Sequence, residues 1–254
     1  MAVAAFATGG AAGAAGAASS VRYVALGDSY SSGDGAGNYS DGSCRESSNA
    51  YPVLWAAANA PATFTNETCS GATTSSVIST QLGGLSSATT LVSISVGGND
   101  VGFASVLETC VLESTSRCVS AVNSAEAQAQ STLPAALNTV LSDIRADAPS
   151  AKIVVLDYPQ FYDLSKSSTC IGLSTTDRTA LNGGAALLDS EISAAASRAG
   201  DPFVDVGPHF AGHQICDSGS YLNSVNIFDL ESSYHPNASG QANGYLPAFE
   251  SAAP

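Results

Sequence analysis

The stretch Val21-Arg22-Tyr23-Val24-Ala25-Leu26-Gly27-Asp28-Ser29-Tyr30-Ser31-Ser32-Gly33 decides the fold. Its first part is apolar and β-favouring and ends at Gly27, and its second part is polar and rich in serine and glycine. This pattern predicts a strand, a tight turn and the start of a helix. Ser29 then projects its hydroxyl beyond the carboxyl end of a strand, where open α/β sheets bind ligands. The position suits a nucleophile. A helix cap at Asp28 or Ser29 is the alternative explanation of the Gly-Asp-Ser sequence.

Strands and helices alternate along the rest of the chain. Strands are predicted over residues 62–65, 90–96, 152–157 and 203–206, and helices over residues 50–60, 73–82, 125–148 and 176–199. In the first of these helices, Trp55 and Leu54 are expected to face the core. In the third, Pro134 should kink the helix or mark its restart. The alternation predicts an α/β fold, a three-layer α/β/α sandwich with a parallel sheet between two layers of helices.

Two more strand-to-helix corners and one late histidine stand out. Gly71 opens the second corner, and Gly97-Gly98-Asn99-Asp100 forms the third, directly after an apolar strand. Ordinary turns explain each corner equally well when it is taken alone. His235 ends a long loop, just before a terminal helix predicted to start at Pro236. Acyl transfer needs an attacking hydroxyl, an imidazole base and N–H donors for an oxyanion, and these positions supply all three.

Composition limits the partners of this chain. Its 254 residues include 22 acidic and 8 basic ones, for a net charge of -14. Such a surface repels phosphate backbones, so we expect no nucleic-acid partner. No window is long and apolar enough for a transmembrane helix, so we expect no integral membrane association. The length suits one domain with a well-buried core, and we expect a monomer.

The chain start and the cysteines point to export. Residues 1–20 are almost entirely alanine and glycine, and Ala15 and Ala17 offer a cleavage site of the A-x-A type, which predicts a signal-peptide-like leader and an extracellular, secreted protein. A flexible Ala/Gly leader is the alternative. Six cysteines without a C-x-x-C pair predict three disulfides, with fifteen possible pairings. Neighbouring cysteines would close the shortest loops, and reduced buried cysteines are the alternative.

Four motif blocks now occur in a consistent order along the chain. They are Gly27-Asp28-Ser29-Tyr30, Cys69-Ser70-Gly71-Ala72, Gly97-Gly98-Asn99-Asp100 and His235-Pro236. With these blocks the chain resembles the GDSL or SGNH hydrolase family, and most of all its secreted actinobacterial lipases, esterases and phospholipases A1. The resemblance implies a single domain over residues 21–254, with a five-stranded parallel sheet of flavodoxin-like topology and a shallow, exposed cleft.

The resemblance also implies roles for individual residues. Ser29 would be the nucleophile and His235 the general base and acid. The backbone N–H groups of Ser29 and Gly71 and the side chain of Asn99 would form the oxyanion hole. No metal or cofactor is implied. The family's three disulfides join neighbouring cysteines, which here would be Cys44 with Cys69, Cys110 with Cys118 and Cys170 with Cys216.

The chain departs from the family at one position. Many members carry Asp three residues before the histidine, where this chain has Ser232. Some relatives instead orient the imidazole with a main-chain carbonyl of that loop, and we expect the carbonyl of Ser232 or, preferably, Ser233. Three carboxylates are alternatives that the sequence does not exclude: Asp205, Asp229 and Glu231.

Other protein classes fit the motifs less well. In trypsin-like proteases Gly-Asp-Ser is followed by Gly-Gly-Pro and the histidine comes first, and ordinary α/β-hydrolases need G-x-S-x-G, which this chain lacks. A non-catalytic secreted binding module would have lost at least one chemical residue, and none is missing. The sequence therefore predicts a serine ester hydrolase acting on lipid esters, with carbohydrate acetyl ester hydrolysis as the alternative.

Overall fold

The computed structural model describes residues 20–166, 170, 172–226 and 228–254. The leader predicted over residues 1–20 lies, except for its last residue, outside these described residues. Within them, no helix has the length and apolar character needed to cross a membrane. The described residues cover most of the range 21–254 that is predicted to form a single domain.

In the described residues, five strands form a parallel sheet and two more form an antiparallel hairpin. In chain order the strands are β1 (Arg22–Gly27), β2 (Tyr39–Asp41), β3 (Glu46–Ser47), β4 (Thr63–Asn66), β5 (Leu91–Ser95), β6 (Lys152–Leu156) and β7 (Phe203–Val204). The sheet has the order β4-β1-β5-β6-β7, and β2 pairs with β3. Numbered by sheet strands alone, this is the flavodoxin-like order 2-1-3-4-5. The predicted sheet and its topology are confirmed.

Helices cover both faces of the sheet. They are α1 (Ser29–Ser32), α2 (Tyr51–Asn59), α3 (Thr74–Ser76), α4 (Phe103–Leu112), α5 (Thr115–Ser131), α6 (Leu133–Asp147), α7 (Thr175–Ala199), α8 (Gly207–Phe210), α9 (Ala238–Gly240) and α10 (Leu246–Glu250). Two π-helical turns, Val77–Gln81 and Gln241–Tyr245, extend α3 and join α9 to α10. Short 3₁₀ turns lie at Leu82–Gly84, Leu164–Lys166 and Leu230–Ser232. The three helices α5, α6 and α7 pack together, as do α2 and α10, which gives the two helical layers.

The expectation that Pro134 marks the restart of a helix is confirmed, and the expected start of the terminal helix is wrong in detail. The helix predicted over residues 125–148 is the end of α5 followed by α6, and Pro134 lies in the first turn of α6. Proline suits that turn because the N–H it lacks has no partner inside the helix. The terminal helix begins after Pro236, with Asn237 as its cap. The helix α4 and the first half of α5 were not predicted from the sequence.

One aromatic cluster ties β1 to its neighbours. The Tyr23 ring lies 5.2 Å from Trp55 of α2, 5.1 Å from Phe64 of β4 and 5.5 Å from Phe249 of α10. All but Phe64 are at most 2% exposed. The predicted burial of Trp55 is thus confirmed, whereas Leu54 is only half-buried because its side of α2 faces away from this cluster. These contacts fix the strand that leads to Ser29.

Three disulfides join neighbouring cysteines. The pairs are Cys44 with Cys69, Cys110 with Cys118, and Cys170 with Cys216. The first pair ties the turn of the β2–β3 hairpin to the loop that carries Gly71, and the second joins α4 to α5. The hairpin turn, the loop that carries Gly71 and the helix α4 all border the cavity described below.

The predicted corners share one edge of the sheet. The strands β1, β4 and β5 are adjacent and parallel, so their carboxyl ends point the same way. Ser29 follows β1, Gly71 follows β4, and Asn99 follows β5. The sheet therefore brings these three positions, 70 residues apart in sequence at the extremes, to one place.

Candidate active site

Gly27 ends β1 and shapes the corner that carries Ser29. Its φ is +124°, and a Cβ there would lie 2.4 Å from the carbonyl oxygen of Ser95. Only glycine allows so close an approach. The Gln81 side chain accepts from the Gly27 N–H at 2.8 Å and donates to the Gly27 carbonyl at 2.9 Å. The Gln81 amide thus binds both the N–H and the carbonyl of the residue that ends the strand. The chain then turns directly into α1.

Ser29 and His235 lie in direct contact. Ser29 is the first residue of α1, which Asp28 caps, and its Oγ lies 2.6 Å from Nε2 of His235. Nδ1 of the same ring lies 3.1 Å from the carbonyl oxygen of Ser233. A carbonyl only accepts, so we assign the proton to Nδ1, which leaves Nε2 to accept from the serine hydroxyl. The arrangement suits proton transfer from Ser29 to His235.

The three alternative carboxylates have other partners. Asp229 accepts from Arg45 at 2.7 Å, and Glu231 accepts from the same guanidinium at 3.3 Å. Asp205 accepts from a backbone N–H just after it in the chain, at 2.8 Å. Among the described residues, no carboxylate oxygen is hydrogen-bonded to the His235 ring. The group that orients the ring is a main-chain carbonyl, which carries no full charge.

The surroundings of His235 favour its neutral form. Desolvation lowers the pKa of His235 below its ordinary 6.5, and the charge of Arg45 acts in the same direction. The charge of Asp34 and the hydrogen bond to Ser233 oppose this change. The net lowering keeps the imidazole unprotonated near neutral pH, as a general base requires.

Backbone contacts, rather than regular secondary structure, hold the loop that carries His235. The N–H of Asn223 donates to the His235 carbonyl at 2.9 Å, and its side-chain amide donates to the carbonyls of Gly35 and Ser232 at 3.0 and 3.2 Å. Gly35 has φ +86°, and a Cβ there would lie 2.8 Å from the Cβ of His235. The segment after α1 therefore packs directly against the histidine.

An ionic cluster links three loops around the site. The buried Asp34 accepts from Nε of Arg45 at 2.7 Å and from the Ser70 hydroxyl at 2.8 Å. The other guanidinium nitrogens of Arg45 bind Asp229 and Glu231, in the loop before His235. Asp34 follows α1, and Ser70 precedes Gly71. The cluster thus connects the segments that carry the serine, the second corner and the histidine.

Asp28 is buried next to Ser29. Besides capping α1, its carboxylate accepts from the Tyr158 hydroxyl at 2.5 Å and from the Ser95 hydroxyl at 2.9 Å. Burial raises the pKa of Asp28 to about 6, although these hydrogen bonds act in the opposite direction. The acid of the Gly-Asp-Ser motif is therefore a structural hub that fixes the first turn of α1.

Three of the residues that line the cavity, Ser29 among them, offer N–H donors. Within the described residues, the backbone N–H groups of Ser29 and Gly71 have no hydrogen-bond acceptor. One N–H of the Asn99 side-chain amide donates to the carbonyl of Ala72 at 3.0 Å, which leaves its second N–H available. All three donors line the same cavity as His235. Such a set can stabilise an oxyanion formed by attack at Ser29.

The second and third corners are joined to each other. The carboxylate of Asp100, next to Asn99, accepts from the hydroxyl of Thr74 at 2.6 Å and from its N–H at 3.0 Å. This contact caps α3, which follows Gly71. The two corners that provide donors are therefore held in a fixed relation.

An apolar cavity of about 590 Å³ opens from this site. Ser29, His235, Gly71 and Asn99 lie among its lining residues, so the four predicted site residues are brought together. Large apolar side chains make up much of the remaining wall: Phe103, Leu107, Val111, Phe161 and Leu188. The cavity has the chemistry to hold a hydrocarbon chain next to the serine.

Several residues around the site were not found from the sequence. Asp34 and Arg45 lie in a polar segment without periodic pattern, Asn223 lies in a long loop, and Tyr158 follows β6 without a motif. None belongs to a motif block. Since each acts through a partner far along the chain, no local signal would have identified it.

Comparison with known proteins supports the same family. The model of the GDSL-like lipase/acylhydrolase family matches residues 25–242. The chain is 52% identical to Lipase 1 of Streptomyces coelicolor over 233 residues. This alignment covers 91% of this chain and 86% of that protein. It is 53% identical to the solved phospholipase A1 of Streptomyces albidoflavus NA297, with a TM-score of 0.89 and coverage of 92% and 99%. The solved extracellular lipase of Streptomyces rimosus is 47% identical, also with a TM-score of 0.89, at 92% and 100% coverage.

Motifs, sheet topology and sequence identity agree over nearly the whole described chain. The match with the family model begins within β1 and extends past His235. The chain belongs to the GDSL-like lipase/acylhydrolase family and is an ester hydrolase.

Proposed function

We propose that this chain is an exported hydrolase of lipid carboxylic esters that works through an acyl-enzyme on Ser29. The observation that carries the proposal is the 2.6 Å contact between Ser29 Oγ and His235 Nε2 at the end of an apolar cavity. Residues 21–254 act as one catalytic domain, and the leader over residues 1–20 directs export. The disulfides suit an oxidising, extracellular location.

The reaction has two halves. In the first, Ser29 Oγ attacks the ester carbonyl while His235 Nε2 takes the hydroxyl proton, and the imidazolium then gives that proton to the leaving alcohol. In the second, His235 takes a proton from water, the hydroxide attacks the acyl-serine, and the proton returns to Ser29. The carbonyl of Ser233 keeps the proton on Nδ1 throughout. In each half the oxyanion accepts from the N–H groups of Ser29 and Gly71 and from the Asn99 amide.

The cavity wall favours a long acyl chain over an acetyl group. Phe103, Leu107 and Val111 line it from one helix. Burying a hydrocarbon chain against such side chains gains roughly 0.8 kcal/mol per methylene. The related phospholipase A1 makes phospholipid esters part of the proposed substrate class.

Two measurements test the proposal. A serine-reactive phosphonate ester should label the peptide that contains Ser29 in the native protein, and a Ser29→Ala variant should take up no label. In a substrate panel, medium-chain acyl esters and phosphatidylcholine should be hydrolysed far faster than acetylated xylan. Label at another serine would contradict the nucleophile, and preference for acetylated xylan would move the substrate class to carbohydrate esters.

A further inference from the structure

The helix α4 is apolar on two faces, of which the protein covers one fully and the other in part. Val106 and Cys110 lie in the core and are at most 5% exposed. Phe103, Leu107 and Val111 recur at every fourth residue on another face, where they line the cavity and are half-buried. These three side chains pack partly against the core and also border the cavity, so a ligand in the cavity would contact an apolar helix face. The disulfide from Cys110 to α5 holds this helix in place.

Exposed apolar side chains surround the mouth of the same cavity. Leu112, at the end of α4, is 69% exposed, Leu230 is 62% exposed, and both line the cavity. Phe228, two residues before Leu230, is 93% exposed. In the part of the chain that the structure describes, the other large exposed apolar side chains are Tyr39 and Leu164. Three of these five therefore lie on the two segments that form the cavity mouth, and we name Leu112, Phe228 and Leu230 the rim patch.

The segment that displays the rim patch is anchored. Asp229, between Phe228 and Leu230, is bound to Arg45 at 2.7 Å, and Arg45 is bound to the buried Asp34. Phe228 and Leu230 are therefore presented outward by a segment that is itself held by an ion pair. The backbone of this anchored segment directs both side chains toward solvent.

The charges near the rim patch exclude an anionic partner. Glu108 is exposed and lines the cavity, and Glu231 lines it with a side chain that is 75% exposed. The guanidinium of Arg45 is already bound by three carboxylates. With a net charge of -14 on the whole chain, an anionic surface would be repelled and a neutral one tolerated.

We propose that the rim patch docks the enzyme onto a zwitterionic phospholipid surface, with the cavity mouth facing the lipid. Phe228, Leu112 and Leu230 enter the interface, and an acyl chain passes along the side of α4 that lines the cavity toward Ser29 without crossing water. This inference rests on the proposed function, because it concerns how a lipid ester reaches the same site.

Vesicle binding tests the docking surface without turnover. Protein carrying Ser29→Ala is mixed with unilamellar phosphatidylcholine vesicles, and the partition coefficient is measured by sedimentation. Adding Phe228→Ser should lower this coefficient about tenfold, since a phenylalanine that enters the lipid is replaced by a polar side chain. Leu112→Ser should act in the same direction. The matched control Leu164→Ser, exposed but outside the rim patch, should leave the coefficient within twofold of its parent.

Lipid charge and oligomeric state give two further outcomes. At low salt, vesicles rich in phosphatidylglycerol should bind the parent more weakly than phosphatidylcholine vesicles do, and added salt should reduce the difference. Unchanged partitioning in both Phe228→Ser and Leu112→Ser, with the fold verified by circular dichroism, would overturn the proposal. So would a parent that sediments as a dimer and becomes a monomer on Phe228→Ser, because the patch would then bind a second copy of the chain.

An activity measurement separates this inference from the proposed function. With Ser29 intact, Phe228→Ser should hydrolyse a dissolved short-chain ester at the parental rate and vesicle phosphatidylcholine about tenfold more slowly. Equal loss on both substrates would overturn the docking role. Hydrolysis of the dissolved ester by the Ser29→Ala protein would instead overturn the proposed function, whatever the vesicle result.

Discussion

Ser29 and His235 lie within hydrogen-bonding distance, yet the molecule holds them by different means. Ser29 lies at a corner formed by neighbours in sequence, namely the strand β1, the turn at Gly27 and the cap Asp28. His235 lies at the end of a long irregular segment and is held by Asn223, by the packing of Gly35 and by the ion pairs of Arg45. Ser29, the proposed nucleophile, is thus positioned by near neighbours in sequence, and His235, the proposed base, by distant contacts. Substitutions near Ser29 should therefore alter the chemical step itself, whereas substitutions near His235 should alter the position of the imidazole.

Ser29→Ala should have the largest effect on activity. It removes the covalent route, so ester hydrolysis should fall about 10³-fold or more, with only weak catalysis left from the oxyanion donors. The thermal midpoint should stay close to that of the parent, because the fold around the corner depends on Gly27 and Asp28. Substantial activity in a clean preparation of the Ser29→Ala variant would contradict the assignment of the reacting hydroxyl to Ser29, the locally positioned residue of the pair.

Asn99→Ala should come next. Losing one donor to the developing oxyanion should lower kcat by about 10²–10³ and change KM much less. Asn123→Ala, an exposed amide on α5, is the matched control and should leave both constants unchanged. A rise in KM alone would make Asn99 a substrate-binding residue.

Arg45→Met tests whether contacts distant in sequence hold His235 in place. It leaves the buried Asp34 without its ion-pair partner and frees the loop before His235, so the free energy of unfolding should fall by about 3 kcal/mol. Activity should fall with it, by an amount smaller than for Asn99→Ala, as measured by kcat/KM and urea unfolding. The double variant Arg45→Met with Asp34→Asn should recover part of the stability, since no unpaired charge remains. Full stability in the single variant would show that the cluster does not hold the loop.

The pH profile reports on the surroundings of His235. Only the neutral ring accepts the serine proton, so kcat/KM should rise with pH through the imidazole pKa, and the midpoint should lie below 6.5. Asp34→Asn should move that midpoint lower still, because the Asp34 charge raises the imidazole pKa. Glu231→Gln, on the exposed side of Arg45, should leave the midpoint in place. A shift to higher pH in Asp34→Asn would contradict this electrostatic role.

The smallest effects are expected at the side chains around the Ser233 carbonyl. Ser232→Ala, Ser233→Ala, Asp229→Asn and Glu231→Gln should each cost less than roughly tenfold in kcat, because none of them removes the carbonyl. Circular dichroism verifies each fold. A loss of about 10³ in one acid-to-amide variant would identify that carboxylate as the partner of His235.

Local sequence patterns were sufficient for the sheet and for most of the site. The strand before Gly27 and the strand before Gly97 are short apolar runs that end in glycine, and both features act over a few residues. Parallel strands then bring their carboxyl ends together, so Ser29, Gly71 and Asn99 could be placed at one edge in advance. The neighbour pairing of the cysteines followed only from the family resemblance.

The sequence by itself thus determined the sheet, its three corners and the identity of the family. Tertiary structure alone decided that the Ser233 carbonyl faces His235, that Arg45 binds two of the three acids that had been alternatives, and that α4 walls the cavity. Arg45 and Glu231 are separated by 186 residues, and such contacts depend on how loops pack after the sheet has formed. Periodicity and turn chemistry describe only near neighbours, which is why the corner that carries Ser29 could be predicted from the sequence and the contacts that hold His235 could not.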